Sequence, residues 1–398
     1  MRIDAIETVR HEDFPNLLFV QVHSEGLVGL GETFYSAEAV DSYVHTVAAP
    51  LVLGEDPRRI SAINRSLEGY VGYSGSGVET RARSALDIAL WDLAAQRADV
   101  PLHDLMGGRT RDSIPIYNTC AGTQYVRREG QMTRNYGRGV DGAWEDLDRF
   151  MTDAGSLAEE LLSEGVRGMK IWPFDAYAEA SHGTRITHAQ LQEGLDPIRK
   201  IRAAVGDEMD VMIELHALWG APAASAIVRA LAPYAPYWVE DPVRSDHPGA
   251  LAEVRAVASD AGTMVAAGET VAGLAGYVPL FASSAIDVAT VDLAWCGGLT
   301  EALPIAALAA AHGRGVAPHD CTGPVSLTAA THMSVSVPNA VVQETVRASM
   351  RTWYADFVTE LPQISGGEIR PPAGPGLGTA LQPDLATRDG VVVRTSRA

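Results

Sequence analysis

The stretch Val211-Met212-Ile213-Glu214 is a short apolar run that ends in a carboxylate, and Tyr237-Trp238-Val239-Glu240 repeats the pattern. Each run has the length of a buried strand, and an Ala/Leu-rich helical stretch follows it. Six further runs of this kind lie at residues 114–117, 168–171, 264–269, 288–292, 315–319 and 340–344. Eight strands that alternate with helices are typical of an α/β fold of the (β/α)8 TIM-barrel type.

The chain before these runs has a different pattern. Residues 16–32 alternate loosely around a turn at Ser24-Glu25-Gly26, which predicts a β-hairpin. After a loop at residues 69–77, apolar side chains recur at three- and four-residue spacing, which predicts a helix. They are Ala82, Ala85, Leu86, Ala89, Leu90 and Leu93. We therefore expect a small α+β unit ahead of the barrel.

The amino-acid composition limits the classes of molecule that the protein is expected to bind. The chain has 398 residues with 50 Asp plus Glu against 31 Lys plus Arg, a formal net charge of −19. Such a surface repels phosphate backbones and anionic lipids, so we expect no nucleic-acid and no membrane partner. No apolar run approaches the roughly 20 residues of a membrane span, and the start of the sequence has no signal-peptide pattern. Three widely separated cysteines exclude a disulfide framework, and we expect a cytoplasmic protein.

Polar side chains end six of the predicted strands. They are Glu214, Glu240, Glu269, Asp292, His319 and Glu344, spaced 26, 29, 23, 27 and 25 residues apart. One strand–helix unit is about that long, so we expect all six at the C-terminal mouth of the barrel, where such barrels carry their catalytic groups. Neighbouring carboxylates stay ionised together only beside a cation, because like charges raise each other's pKa. The oxygen donor set predicts a hard divalent ion, Mg²⁺ before Mn²⁺.

Three further features concern proton transfer. Asp292 and His319 end neighbouring strands, so the carboxylate is expected to orient the imidazole and raise its basicity. His216 lies two residues after Glu214 and points to the same side of the strand, which favours a catalytic role. Lys170 ends the second strand and is expected to be either an ion-pair partner or a base.

Two connections that leave strands at the catalytic face are longer than average. They cover residues 121–142 and 173–186, and both are expected to be irregular. Long loops at this face commonly close over the site or set its specificity. The alternative for either loop is an insertion that makes no substrate contact.

Several ordered motifs run from one end of the chain to the other. They are Leu86-Asp87-Ile88-Ala89-Leu90-Trp91-Asp92-Leu93, Leu105-Met106-Gly107-Gly108, Glu240-Asp241-Pro242, Ala267-Gly268-Glu269, Asp292 with Gly297-Gly298-Leu299-Thr300, and Pro318-His319. Together they resemble the enolase superfamily, and within it the mandelate racemase subgroup. The resemblance implies a modified (β/α)8 TIM barrel with an α+β capping domain. We expect the capping domain at residues 1–112, the barrel with the catalytic site at 113–362, and a C-terminal segment at 363–398 that returns to the capping domain.

The resemblance also implies a half-reaction in which a base removes the α-proton of a metal-bound carboxylate substrate to give an enediolate. The implied ligands of one Mg²⁺ per subunit are Glu214, Glu240 and Glu269. By position, His319 and Asp292 match the family's catalytic pair. Glu344 matches the residue that hydrogen-bonds the substrate carboxylate, where a protonated acid would stabilise developing charge.

One departure from the racemase pattern bears on the chemistry. Racemases of the subgroup have two lysines separated by one residue on the second strand, and the second lysine is a base. Here the stretch is Lys170-Ile171-Trp172, so Trp172 occupies the base position. We expect Lys170, Trp172 and Glu344 to contact the substrate. The Glu214-Leu215-His216 arrangement instead resembles galactonate-type acid-sugar dehydratases, in which the histidine acts on the leaving hydroxyl.

We therefore predict a hydro-lyase that dehydrates a small-molecule sugar acid to a 2-keto-3-deoxy acid. His319 and His216 would supply the base at C2 and the acid at the C3 hydroxyl. The alternative on the same scaffold is a racemase, epimerase or lactone cycloisomerase, in which His216 would face the α-carbon. The resemblance also implies a homo-oligomer.

Other classes of protein fit the sequence less well. A catalytically idle barrel that serves as a binding protein would be expected to lose the acid/base pair, which is present here. A zinc amidohydrolase needs a His-x-His pair on the first strand, and that strand has Ile116-Tyr117-Asn118-Thr119. A nucleotide-binding loop of the Gly-x4-Gly-Lys-Ser/Thr type is also missing.

Overall fold

A four-stranded antiparallel sheet forms the N-terminal part of the protein. The computed structural model describes residues 1–68, 75–125 and 142–398. Strands β1 (Ala5–His11), β2 (Leu17–Ser24) and β3 (Leu27–Phe34) follow one another, and β14 (Val391–Arg397) pairs with β1. The predicted hairpin is confirmed, because Ser24 pairs with Leu27 around a turn in the left-handed conformation.

Helices cover one face of this sheet. In order they are α1 (Ala37–Tyr43), a π-helical turn (Val44–Ala48), α2 (Ala49–Val52), α3 (Ile60–Ser66), α4 (Val78–Ala98) and α5 (Leu102–Leu105). The apolar side chains that predicted α4 are buried in one core with residues of β2. Helix α4 packs closely on β3, since a Cβ at Gly29 or Gly31 would collide with the carbonyl oxygens of Ala89 and Ala85.

Eight parallel strands form a closed barrel. They are β4 (Ile114–Thr119), β5 (Gly168–Ile171), β6 (Asp210–Glu214), β7 (Trp238–Glu240), β8 (Met264–Ala267), β9 (Val288–Ala289), β10 (Gly315–Val316) and β11 (Gln343–Thr345). Each pairs with the next from β4 to β10, β11 pairs with β4, and a bridge between Val316 and Ala340 completes the ring. Every predicted run overlaps a strand, although β9, β10 and β11 each contain only two residues of the run that predicted them. The predicted fold, a modified (β/α)8 TIM barrel with an α+β capping domain, is confirmed.

Helices surround the barrel. They are α6 (Asp146–Thr152), α7 (Ala154–Ser163), α8 (Asp175–Ser181), α9 (His188–Gly194), α10 (Asp196–Val205), α11 (Ala221–Leu231) with a 3-10 turn (Ala232–Tyr234), α12 (Pro248–Asp260), α13 (Gly273–Ala282), α14 (Leu299–Ala311), α15 (Pro324–Ser336), α16 (Arg347–Thr352) and α17 (Tyr354–Phe357).

The two long connections differ in outcome. Residues 173–186, expected to be irregular, contain α8, because an Ala-rich stretch favours a helix and Ala178 is buried against the barrel beside Phe174. Most of the connection at 121–142 lies outside the described residues.

The C-terminal segment contacts both parts of the fold. Strands β12 (Gln363–Ser365) and β13 (Glu368–Arg370) form a hairpin, and β13 pairs with the start of β4. A 3-10 turn (Leu385–Thr387) then precedes β14 in the N-terminal sheet. The domain bounds 1–112, 113–362 and 363–398 stay a prediction.

None of the helices in the described ranges is long and apolar enough to cross a membrane.

Candidate active site

Three carboxylates meet at the C-terminal mouth of the barrel. Glu214 and Glu240 are the last residues of neighbouring strands and pair in register, and Glu269 follows β8 by two residues. One oxygen from each lies within 4.8 Å of the others. Glu214 and Glu240 are buried, and Glu269 is partly exposed. The barrel register therefore brings together the three residues that the sequence analysis expected to hold a metal.

The chemistry of this cluster fits a divalent cation. Burial, together with repulsion from Glu214, raises the pKa of Glu240 to about 7 even though the Lys170 ammonium opposes the shift. Within the described residues, Oε2 of Glu214 is buried and accepts no hydrogen bond. A hard cation bound by one oxygen from each carboxylate would offset the repulsion between the carboxylates and would give Oε2 of Glu214 a partner, since such ions prefer oxygen ligands.

Lys170 lies at the centre of the buried carboxylates. Its Nζ is 3.0 Å from Oε1 of Glu240, 2.9 Å from Oε1 of Glu344 and 3.5 Å from Oε2 of Glu214. Burial alone would lower the pKa of this lysine, but the carboxylates outweigh burial and raise it well above its usual value. Of the two roles expected for Lys170, the geometry favours the ion-pair partner over the base.

His319 and Asp292 form a buried pair beyond the ends of β10 and β9. Nδ1 of His319 lies 2.7 Å from Oδ2 of Asp292, while the backbone N–H of Ala294 donates to Oδ1 of Asp292 at 2.7 Å. Burial lowers the pKa of His319, but the carboxylates of Glu269, Glu344 and Asp292 outweigh it, so the pKa is well above its usual value. The second ring nitrogen, Nε2, faces the cluster at 3.2 Å from Glu269.

A second histidine–aspartate pair lies beside Glu214. Nδ1 of His216 is 2.7 Å from Oδ2 of Asp175, the first residue of α8. His216 and Ala217 have φ of 48° and 54°, and this left-handed turn lets the His216 N–H donate to Oε1 of Glu214 at 2.6 Å. Burial lowers the pKa of His216, but Asp175 and Glu214 raise it to about 10 overall. The sequence analysis did not identify Asp175.

The two pairs lie on opposite walls of one cavity. His216 follows β6, the third barrel strand, and His319 follows β10, the seventh, so they are half a turn apart in an eight-stranded ring. Both line a cavity of about 50 Å³. Its other lining residues are Phe34, Thr119, Tyr125, Lys170, Trp172, Glu214, Glu269, Trp295, Cys321 and Glu344.

Glu344 lies on the floor of this cavity. It accepts hydrogen bonds from the Thr119 hydroxyl and, at 2.9 Å, from the Asp320 N–H, besides its ion pair with Lys170. Burial raises the pKa of Glu344, but Lys170 and His319 outweigh burial and bring it below its usual value. Thr119, at the end of β4, is a second residue that the sequence analysis missed.

Trp172 lies between the cavity and the barrel helices. Its ring is 5.5 Å from Tyr125, 5.2 Å from Phe150 and 5.6 Å from His216. The indole Nε1 is buried and has no hydrogen-bond partner in the described part of the chain. Trp172 therefore supplies an apolar wall beside His216 at the position where the racemase pattern has a lysine.

Comparison with known families agrees with this architecture. The profile of the mandelate racemase / muconate lactonizing enzyme N-terminal domain matches residues 4–107, and the profile described as enolase C-terminal domain-like matches residues 153–385. The chain belongs to the enolase superfamily, and the resemblance found in the sequence is confirmed.

Individual relatives indicate which class of enzyme within the superfamily this chain is similar to. A solved enolase of the mandelate racemase subgroup from Agrobacterium tumefaciens is 42% identical, with a TM-score of 0.88 over 100% of this chain and 99% of that one. D-galactonate dehydratase of Ralstonia nicotianae is 28% identical over 97% of this chain and 93% of that protein. D-gluconate dehydratase of Thermoproteus tenax is 28% identical over 92% of this chain and 68% of that protein. The predicted hydro-lyase class agrees with the names of both dehydratases.

Proposed function

We propose that the protein is a Mg²⁺-dependent acid-sugar dehydratase, which removes water across C2 and C3 of a sugar carboxylate. The observation that carries the proposal is the presence of two histidine–aspartate pairs on opposite walls of one cavity, with a carboxylate cluster between them. Elimination of water needs one group that takes a proton and another that gives one, each held in its own place. The dehydratases among the relatives add support for this reaction over others of the superfamily.

His319 is the proposed base. Its Nδ1 is engaged by Asp292, so Nε2 of the neutral imidazole is the nitrogen that faces the cavity and takes the C2 proton, leaving an enediolate. A cation held by Glu269 would oppose the upward shift that this carboxylate exerts on the pKa of His319 and so favour the neutral form. Asp292 stabilises the imidazolium that results. His216, oriented by Asp175, protonates the C3 hydroxyl as the C3–O bond breaks and water leaves. The enol that remains takes a proton at C3 and becomes the 2-keto-3-deoxy acid.

The buried charges around the cavity bind the acid end of the substrate. Glu214, Glu240 and Glu269 are the proposed ligands of one Mg²⁺ per subunit. When bound, the ion would neutralise the substrate carboxylate and stabilise the charge that develops on it. Lys170 and Glu344 flank this position, and Trp172 is proposed to contact the sugar chain.

The second candidate is an epimerase or racemase, or a lactone cycloisomerase. The opposite placement of His216 and His319 also suits proton removal from one face of the α-carbon and return to the other. The reactions differ in product, since epimerisation leaves the 3-hydroxyl in place.

The remaining proposals concern the location, the oligomeric state and the partners of the enzyme. We propose that it works in the cytoplasm as a homo-oligomer on a small-molecule sugar acid, without nucleic-acid or membrane partners. The net charge of −19 supports the last point, because it disfavours binding to polyanionic surfaces.

Turnover of a panel of acid sugars tests the reaction. We expect a 2-keto-3-deoxy acid from at least one six-carbon aldonate, with D-galactonate and D-gluconate as the first substrates. His247→Asn, a change at an exposed histidine outside the site, serves as the control and should keep wild-type turnover. A product that is the C2 epimer, with no keto acid, would replace the dehydratase proposal with the epimerase.

Metal removal tests the carboxylate cluster. Activity should be lost on treatment with EDTA and return with Mg²⁺, and Glu240→Gln should be inactive while its circular dichroism matches that of the wild type. Full activity after exhaustive chelation would contradict the metal proposal.

A further inference from the structure

The N-terminal sheet and helices contact the barrel at the two loops that follow His319 and Asp292. Glu32, on β3, is fully buried against the start of α15. Its Oε2 accepts from the N–H of Val325 at 3.0 Å, and its Oε1 accepts from the N–H of Ser326 at 3.2 Å. A carboxylate from another part of the chain thus caps the helix that follows β10, the strand of His319.

Asp87, on α4, makes the equivalent contact with the neighbouring barrel helix. Its Oδ1 accepts from the N–H of Thr300 at 3.0 Å, in the first turn of α14. Its Oδ2 accepts from the side-chain amide of Asn64 at 2.8 Å, which fixes the carboxylate in place. Helix α14 follows β9, the strand that leads to Asp292.

A glycine makes each contact close. Gly298 precedes α14 with φ of +82°, and Gly323 precedes α15. A Cβ at Gly298 would collide with the Asp87 carboxylate, and a Cβ at Gly323 would collide with that of Glu32. The same arrangement of glycine, helix start and distant carboxylate therefore occurs twice, once for each member of the catalytic pair.

Further bonds from the end of β3 reach the Asp292 loop directly. The Thr33 hydroxyl donates to the carbonyl of Ala294 at 2.9 Å, and the N–H of Ala294 in turn donates to Asp292. The carbonyl of Phe34 accepts from Nε1 of Trp295 at 3.2 Å. The Trp295 ring lies 5.4 Å from the imidazole of His319.

We propose that Glu32 and Asp87 are positioning residues, which hold the Asp292 and His319 loops in register from outside the barrel. This inference rests on the proposed function in one respect, the assignment of His319 as the base at C2. Neither carboxylate lines the cavity. Each fixes the loop on which one member of the pair is carried, and an error of about 1 Å at such a pair costs about a hundredfold in rate.

Asp92 offers a matched control on the same helix. It is buried like Asp87 and accepts two backbone hydrogen bonds of 2.7 Å, from the N–H groups of Leu30 and Leu377. These partners belong to β3 and to the C-terminal segment, and neither lies on a loop of the catalytic pair. Asp92→Asn therefore removes a comparable buried carboxylate that makes no hydrogen bond to the loop of Asp292 or of His319.

The first measurement compares Glu32→Gln and Asp87→Asn with Asp92→Asn. All three should unfold at a lower temperature than the wild type. Only the first two should lower kcat, by about tenfold to a hundredfold with KM within about threefold, and should raise the isotope effect on kcat with C2-deuterated substrate. Thr33→Val, a milder isosteric change, should move the same quantities in the same direction. An equal loss of kcat in Asp92→Asn would overturn the proposal in favour of general destabilisation.

The second measurement needs no activity. Diethyl pyrocarbonate modifies histidines, and peptide mapping by mass spectrometry gives the rate at His319 relative to His216. We expect this ratio to rise in Glu32→Gln and Asp87→Asn and to stay at the wild-type value in Asp92→Asn. An unchanged ratio in all variants would overturn the positioning role. A changed ratio in a protein that dehydrates no acid sugar would support the positioning role and count against the proposed function alone.

Discussion

Each of the two walls of the cavity carries a histidine–aspartate pair, but different structural elements hold the two pairs in place. Both histidines lie 2.7 Å from a carboxylate, yet the His319 side chain is 6% exposed and that of His216 is 23% exposed. His319 and Asp292 follow adjacent strands and are braced by β3 and α4. His216 lies in a left-handed turn, and Asp175 begins a helix of seven residues. The difference indicates a more closely packed wall at His319, the proposed base, and a more open wall at His216, the proposed acid.

The largest effect expected from this comparison separates the two histidines. His319→Asn and His216→Asn should each lower dehydration by about 10²- to 10⁴-fold, the usual contribution of a general acid or base. In D₂O, His216→Asn should still exchange the C2 hydrogen, since its base is intact and the enediolate returns to substrate. His319→Asn should not exchange it. Proton NMR of the recovered substrate measures both.

The reverse result would exchange the roles. If His319→Asn exchanges the C2 hydrogen while His216→Asn does not, the base lies on the wall beside β6.

A smaller effect is expected from the two aspartates. Asp292→Asn and Asp175→Asn each leave the histidine in place but remove the carboxylate that orients it. We expect kcat to fall about tenfold to a hundredfold for Asp175→Asn, and further for Asp292→Asn because its pair is more buried. Steady-state kinetics of both variants gives the order. Wild-type kcat in Asp175→Asn would show that the second pair is not used.

The smallest effect concerns stability at acid pH on the His319 side. His332, on α15, is buried with Nδ1 2.9 Å from Nδ1 of His103 and Nε2 3.2 Å from the carbonyl of Leu377. Burial lowers the pKa of His332 to about 3, from a usual value of 6.5. The unfolded chain then binds the proton first, so between pH 6.5 and about 3 this group lowers the free energy of unfolding by up to about 1.4 kcal/mol per pH unit.

Urea unfolding at pH 7, 6 and 5 checks whether the free energy of unfolding falls as the pH falls. The wild type should lose stability more steeply than His332→Gln as the pH falls. Parallel curves for the two proteins would contradict the assignment.

The polar residues at the strand ends of this site were predictable from sequence, because the spacing of the strand–helix units determines which residues meet at the barrel mouth. A closed barrel aligns one polar residue per strand–helix unit at its mouth, so the intervals between Glu214, Glu240 and Glu269 were enough to place them together. The partnership of Asp292 with His319 follows for the same reason, since their strands are neighbours.

The other wall was only half predictable. His216 was found from its distance to Glu214 along the strand. Asp175 has no signal in the sequence, because it lies on a short helix whose position depends on the packing of Phe174 and Ala178 and not on a hydrophobic period. An acidic residue at the start of an Ala-rich run was a sign of the helix itself, but it gave no indication of the histidine it would contact. The choice between ion pair and base for Lys170 needed distances.

The pairing of β14 with β1 has a consequence for the order in which the protein is made. Residues 391–397 complete a sheet whose first strand covers residues 5–11, so that strand leaves the ribosome with one edge open. The whole barrel is synthesised before this edge is covered. Because β3 and α4 contact the loops of Asp292 and His319, the sheet beside this wall is completed only by residues translated after the barrel, and the nascent chain must be kept from pairing with other chains until then.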